Sequence, residues 1–237
     1  MDRIAAAIEG GITGAKAQRI AGDGGGATRA LARLGTAEIK IETSPVTRGV
    51  VHDPEQREVS EAVEEEFGYA MMNIVSFEDL FGGKLHAAVD RQHPRDLYDV
   101  KLLYENEGFT DALFRTFLIY VASSPRPPHE LLNPNLINLD QPYAREFQGM
   151  TKDTVNLTEL IATRDRLIGD IQSRMDEDAK RFLRTLHEGD PDFDALGRPQ
   201  AAELPAVRWK LINVNKLKAD NPKKHAAQGE ELEKLLG

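Results

Sequence analysis

The sequence predicts an α+β fold. Short segments bounded by glycine, one of them strictly alternating, crowd the amino-terminal part. From residue 76 onward apolar residues recur at helical spacing behind Ser, Asn and Pro start signals. A chain of 237 residues, 41% hydrophobic and 29% charged, has enough apolar material to bury a core in one domain or two modest ones.

Ile4, Ala7 and Ile8 lie at helical spacing and predict an amphipathic helix almost from Met1. AKAQRIAG, ATRALARLG and AEIKIETS read as strands joined by glycine turns, with Ile39 and Ile41 facing inward and Glu38, Lys40 and Glu42 outward. The acidic QREVSEAVEEEFG reads as a surface helix and AMMNIVS as a short buried strand. Ser76 followed by Asp79 is a capping-box signal for a first helix, and Pro94 opens a second at its first turn. A further helix is expected around 112–121. The Pro- and Asn-rich stretch after it marks a boundary, dividing the chain into 1–124 and 125–237. From Asn156, paired with Glu159 as a cap, apolar residues from Leu157 to Leu186 read as one long helix; two short helical patterns begin near Pro205 and Pro222.

Composition excludes several classes. No apolar run is long enough to cross a bilayer, the first residues lack a secretory pattern, and zero cysteines exclude disulfides and thiolate metal sites, so a cytoplasmic address is the default. A net charge of -9 argues against a protein that coats nucleic acid non-specifically.

Two charges fall where a core is expected. Advancing ~100° per residue puts Lys84 about 20° from Phe77, within the stripe that Leu80, Phe81 and Ala88 define, and puts His86 on the opposite, water-facing side. Lys84 is either an ammonium that snorkels past the helix edge or one held in a cleft for a phosphate or carboxylate. On the next helix Asp96 precedes Val100 and Leu103 and points inward, with Asp99 towards the stripe's edge. The structural alternative is a helix-start aspartate favoured by the macrodipole, with Arg95 and Asp99 as a surface pair. An unpaired buried charge costs several kcal/mol, which calls for a cleft or a Lys84–Asp96 pair. Glu42, on an outward strand face, has little weight alone.

IKIETSPV, then FEDLFGGKLHAAVDRQHPRDLYDV, then a helical remainder containing PAVRWKL, resembles the AbiEii/AbiGii toxin family of nucleotidyltransferase-like proteins. The most specific part is D-L-x-x-x-K followed by R-D-x-x-D. The resemblance implies a small mixed nucleotidyltransferase-like sheet with flanking helices in 1–124 and a helical carboxy-terminal region in 125–237. It places Lys84, Asp96 and Asp99 in the active site, Lys84 on the NTP phosphates, and Glu42 at the acidic position of the K-I-E strand, assisting with metal or acceptor. It further implies magnesium, an acceptor such as the 3′ end of tRNA, and a toxin of a toxin–antitoxin or abortive-infection pair with a cognate antitoxin. The chemistry agrees, since phosphoryl transfer rests on charge neutralisation and positioning.

The family's upstream G-S or G-G motif followed by D-x-D has no counterpart before IKIETS. The expectation is a shortened or reduced relative whose fold survives while the catalytic metal does not bind. That makes a catalytically inactive binding module the alternative function. Apolar surface left by a missing strand favours a homodimer. Asp176 with Asp178, and Asp192 with Asp194, lack the strand context and are set aside. GDGGG at 22–26 reads as a glycine hairpin rather than a phosphate loop. His86, His93 and Asp96 have zinc-ligand chemistry, but Pro94 interrupts them. VRWKLINVNKLKADNPKKH, with six Lys/Arg against one Asp, is a local basic patch for nucleic acid, a solvated helix face or an antitoxin-binding surface.

Overall fold

The computed structural model describes residues 1–20, 29–43 and 48–237. The chain forms two compact units, Met1–Thr47 and Arg48–Gly237. The glycine segment at 22–26 lies outside the described residues.

In the first unit, helix α1 (Asp2–Gly11) packs against a three-stranded antiparallel sheet of β1 (Lys16–Ile20), β2 (Arg29–Leu34) and β3 (Ala37–Glu42), in that order. The register pairs Lys16 with Arg33, and Arg29 with Glu42. Gly35 (φ 58) opens the two-residue turn between β2 and β3, a left-handed position where glycine has no steric penalty. The strands are therefore as expected, but the facing of β3 is not. Ile39 is 64% exposed, because α1 packs on β1 and β2 and leaves β3 at the sheet's edge.

The second unit begins with an antiparallel hairpin, β4 (Glu55–Glu58) and β5 (Met71–Ile74), which brackets helix α2 (Glu61–Phe67). Two expectations are corrected here. The start of the acidic segment is strand rather than helix, and AMMNIVS contains the strand Met71–Ile74, with every strand residue exposed. Its apolar residues have no helix stacked over them.

The rest is helical: α3 (Phe77–Arg91), α4 (Pro94–Asn106), α5 (Asp111–Ala122), α6 (Pro128–Leu132), α7 (Asp140–Glu146), α8 (Leu157–Ser173), α9 (Glu177–Glu188), α10 (Pro205–Asp220) and α11 (Pro222–Leu236). Two 3₁₀ turns, Phe193–Leu196 and Pro199–Glu203, lie between α9 and α10. One hydrophobic core runs through this unit, with Phe114, Phe117 and Phe182 among its largest buried side chains. It crosses residue 124 without a break, since Val121 and Ala122 before that point and Leu131 and Leu132 after it share the core.

Helix starts follow the capping signals. Asn156 accepts from the Glu159 amide at 2.9 Å and donates to its carboxylate at 2.7 Å. The long helix expected from Asn156, however, is two. Asp176 ends it by capping α9, accepting from the Ala179 amide at 2.9 Å and from Arg115 of α5 at 2.9 Å. Periodicity carried across the break because α8 and α9 both bury apolar faces in one core. The helices that begin at Pro205 and Pro222 are not short but 16 and 15 residues long.

Asp176→Ala removes the cap bond and the pairing with Arg115, and chemical denaturation is expected to report a loss of about 1–2 kcal/mol, the usual value of a helix cap.

Candidate functional site

The α3–α4 hairpin holds most of the residues that the sequence singled out. Ser76 caps α3: its hydroxyl accepts from the Asp79 amide at 3.0 Å and donates to the Asp79 carboxylate at 2.9 Å. Three more donors reach that carboxylate. They are the Val51 amide (2.8 Å), the His52 amide (2.9 Å) and the Tyr120 hydroxyl of α5 (3.0 Å). Asp79 is thus buried but saturated. His52 also reaches Thr116 of α5, at 3.0 Å, so residues 51 and 52 are laced over α3 and α5. Gly82 allows the close approach: a Cβ there would lie 3.1 Å from the Tyr120 ring and 3.2 Å from the Thr116 methyl. Burial, and then the charge of Asp79, push the Tyr120 phenol above its usual titration range.

The fully buried face of α3 is rotated from the expected stripe, of which Ala88 is buried, Phe77 and Phe81 pack half-buried against the core and Leu80 is exposed. It comprises Asp79, Gly82, Leu85, His86, Ala88 and Val89, while Leu80 is 45% exposed. This overturns the expected orientation of His86, which is buried. Its Nδ1 lies 3.4 Å from the Arg48 guanidinium, and its Nε2 has no partner. Burial, followed by the Arg48 charge, lowers its pKa to about 4.

Lys84 lies on the half-exposed side of α3. Its Nζ is 2.6 Å from Asp99 of α4, and the two side chains are 32% and 34% exposed. Asp96 is held by Arg91 at the end of α3, through bonds of 2.6 and 3.1 Å, and its side chain is only 13% exposed. The hairpin is thus crossed by two parallel ion pairs, Lys84–Asp99 and Arg91–Asp96; neither the Lys84–Asp96 nor the Arg95–Asp99 pair weighed from sequence forms. Between α3 and α4, Gln92 adopts a left-handed conformation (φ 50). Its side chain secures the turn by donating to the Asn135 carbonyl at 2.7 Å and accepting from the Ile137 amide at 3.3 Å. His93 caps α4 with Nδ1 (3.2 Å from the Arg95 amide), which leaves the proton on Nε2, 3.2 Å from Glu146. Arg91, His93, Arg95 and Asp96 line a surface recess of about 390 Å³.

Glu42 belongs to the first unit. Its Oε1 lies 2.8 Å from Arg29 and 3.0 Å from Lys40, and Lys40, then Arg29, hold its carboxyl below the usual range. All three side chains are about half exposed, so these are surface ion pairs of little individual strength. Among the described residues no group of three or more His, Cys, Asp or Glu side chains is arranged to hold a metal. The set-aside Asp pairs have structural roles: Asp176 caps α9, Asp178 pairs with Arg181 at 3.0 Å, and Asp192 caps the first 3₁₀ turn. In the basic patch, Lys210 turns inward and donates to the Arg126 carbonyl at 2.5 Å, and burial lowers its pKa to about 8.

From sequence, Asp79 is only a capping acid and His86 faces water; both are buried, Asp79 against α5 and the residues laced over it. The signal for Asp79 was present, since it is both the capping-box acid and the aspartate of D-L-x-x-x-K. For His86 no sequence signal was available, because its burial comes from residues distant in the chain.

Two small antiparallel sheets and a largely helical remainder make this an α+β protein. The sequence model of the family described as "Nucleotidyl transferase AbiEii toxin, Type IV TA system" matches residues 1–213, and the chain belongs to that family. No curated protein and no solved structure matches it. No helix among the described residues is long and apolar enough to cross a membrane.

His86 supplies a pH test. Its folded pKa of about 4 lies below its unfolded value of 6.5, so the unfolded chain takes up a proton that the fold refuses, and stability is lost as pH falls from 6.5 towards 4. Over that window the unfolding free energy of the wild type is expected to fall by about 3 kcal/mol more than that of His86→Gln, measured by denaturant titration at each pH.

Proposed function

We propose that this chain is a toxin that uses its α3–α4 face to hold the phosphates of a nucleoside triphosphate, for transfer of the nucleotidyl group to an RNA hydroxyl such as the 3′ end of tRNA. The observation that carries this reading is the half-exposed Lys84–Asp99 pair. A pair this accessible contributes about 0–1 kcal/mol, so transferring the ammonium from a carboxylate to a triphosphate costs little, and the triphosphate offers more negative charge. Asp99 keeps the ammonium aimed across the hairpin while the site is empty. Arg91 and Arg95 add cationic character at the neighbouring recess, and the Arg91–Asp96 pair fixes the start of α4. In nucleotidyl transfer the acceptor oxygen bonds to the α-phosphorus and pyrophosphate leaves; Lys84 would stabilise charge on the phosphates of that leaving group.

A second reading is favoured by the missing D-x-D motif, together with the finding that no His, Cys, Asp or Glu group among the described residues is arranged to hold a metal. Here the chain binds nucleotide or a partner without transferring anything. The cognate antitoxin implied by the family and an RNA acceptor remain its proposed partners in either case.

Isothermal titration with each NTP, together with transfer of labelled NTP to total tRNA, separates the two readings. Lys84→Ala is expected to weaken NTP binding by about tenfold. Robust label transfer that Lys84→Ala abolishes supports the toxin enzyme; binding without transfer supports the second reading. Equal NTP affinities for wild type and Lys84→Ala would remove Lys84 from the site.

A further inference from the structure

The element β4–α2–β5 leaves every one of its strand and helix residues exposed. A lone two-stranded hairpin is marginal in water, and an uncovered apolar patch with open strand edges marks a contact surface. Phe67 is 76% exposed, and Tyr69, Met71 and Met72 are each more than half exposed. The same stretch is the acidic centre of the protein. Residues 53–75 contain seven Asp/Glu against one Arg, a net of -6 in a chain of net charge -9. The four glutamates of α2 have no cationic partner among the described residues.

The complement of this surface is on the same molecule but elsewhere. Residues 208–224 contain six Lys/Arg against one Asp. Trp209, Ile212 and Lys216 follow one another at i, i+3 and i+7 along α10, so they share a face; Trp209 is 43% and Ile212 66% exposed. Lys216, Lys223 and Lys224 have no acidic partner among the described residues, whereas Lys218 is bound to Glu188 at 2.5 Å.

We propose that the β4–α2–β5 element of one copy docks on the α10 face of a second copy. The second copy is the occupant that the charges specify, because it brings unpaired lysines flanking exposed Trp and Ile to unpaired glutamates flanking exposed Phe, Tyr and Met. Each copy carries both surfaces, and the form proposed is the one in which the contact is made twice about a two-fold axis, so that the assembly closes as a dimer rather than growing as an open chain. Burial of the apolar residues holds it, and the charges select the partner and its orientation.

Sedimentation equilibrium on the full chain tests this. The wild type is expected to dimerise, more weakly at high salt. Glu64→Lys with Glu65→Lys is one variant and Lys216→Glu with Lys223→Glu the other; each alone is expected to self-associate at least about tenfold more weakly. All four positions are exposed, and unchanged melting temperatures will verify that both variants fold. Mixed together, the two variants present opposite charges at both contacts, and the heterodimer is expected to recover wild-type affinity. A monomeric wild type overturns the proposal, including one whose hairpin is protected from surface labelling and so covered by its own chain. So does a dimer that the reversals leave unchanged, or a mixture that shows no preference for the heterodimer.

Discussion

Four donors from three separate parts of the chain converge on the Asp79 carboxylate: two backbone amides at 51 and 52, the cap hydroxyl of Ser76 and the phenol of Tyr120. A buried carboxylate is tolerated only when its charge and lone pairs are met, and each unmet partner would carry a desolvation penalty of about 1–3 kcal/mol. The junction is therefore closer to all-or-none than to a sum of contacts. It fixes the rotation of α3 about its own axis, since Asp79 must face α5 and the residues laced over both helices. With that rotation set, Gly82 meets Tyr120, His86 turns inward, and Lys84 faces α4 at the rim, where Asp99 meets it.

That geometry divides labour along the hairpin. Of the inner polar residues, Asp79 holds the architecture through its hydrogen bonds, and His86 is buried beside it with Nε2 unpartnered among the described residues. The outer ones form two ion pairs of different character. Arg91–Asp96 has a well-buried acid and a bidentate geometry, which suits a fixed support. Lys84–Asp99 is about one-third exposed on both sides and so is worth little, about 0–1 kcal/mol. The lysine and the R-D-x-x-D aspartates thus lie on one face without all touching each other.

Much of this was legible in the sequence because the signals were local. The capping box at Ser76, the proline at 94 and the Asn156–Glu159 cap each depend on residues within one turn, and each is present as read. What failed depended on tertiary context. A helical wheel ranks faces by hydrophobicity, so it centred the buried stripe of α3 on Phe77, Leu80 and Phe81, which are half-buried or exposed; the fully buried face sets Gly82 and the hydrogen-bonded Asp79 beside Leu85, Ala88 and Val89. Likewise the apolar periodicity of α8 and α9 runs on through Asp176, whose cap bond to the Ala179 amide and bond to Arg115, sixty-one residues away, mark the break. The apolar run at 71–75 carries the composition of a buried strand, but composition does not reveal whether a second layer is there to cover it. For the candidate site, the residue types were readable while the pairing was not: which aspartate takes Lys84 is decided by the stagger of α3 against α4.

Amide hydrogen exchange at Val51 and His52 tests the organising role of Asp79 most directly. In the wild type these two amides should exchange as slowly as those in the middle of α3 and α5, and Asp79→Asn should release them while the centre of α5 stays protected. Exchange of Val51 and His52 in the wild type at the rate of the exposed β4–β5 hairpin would contradict the account.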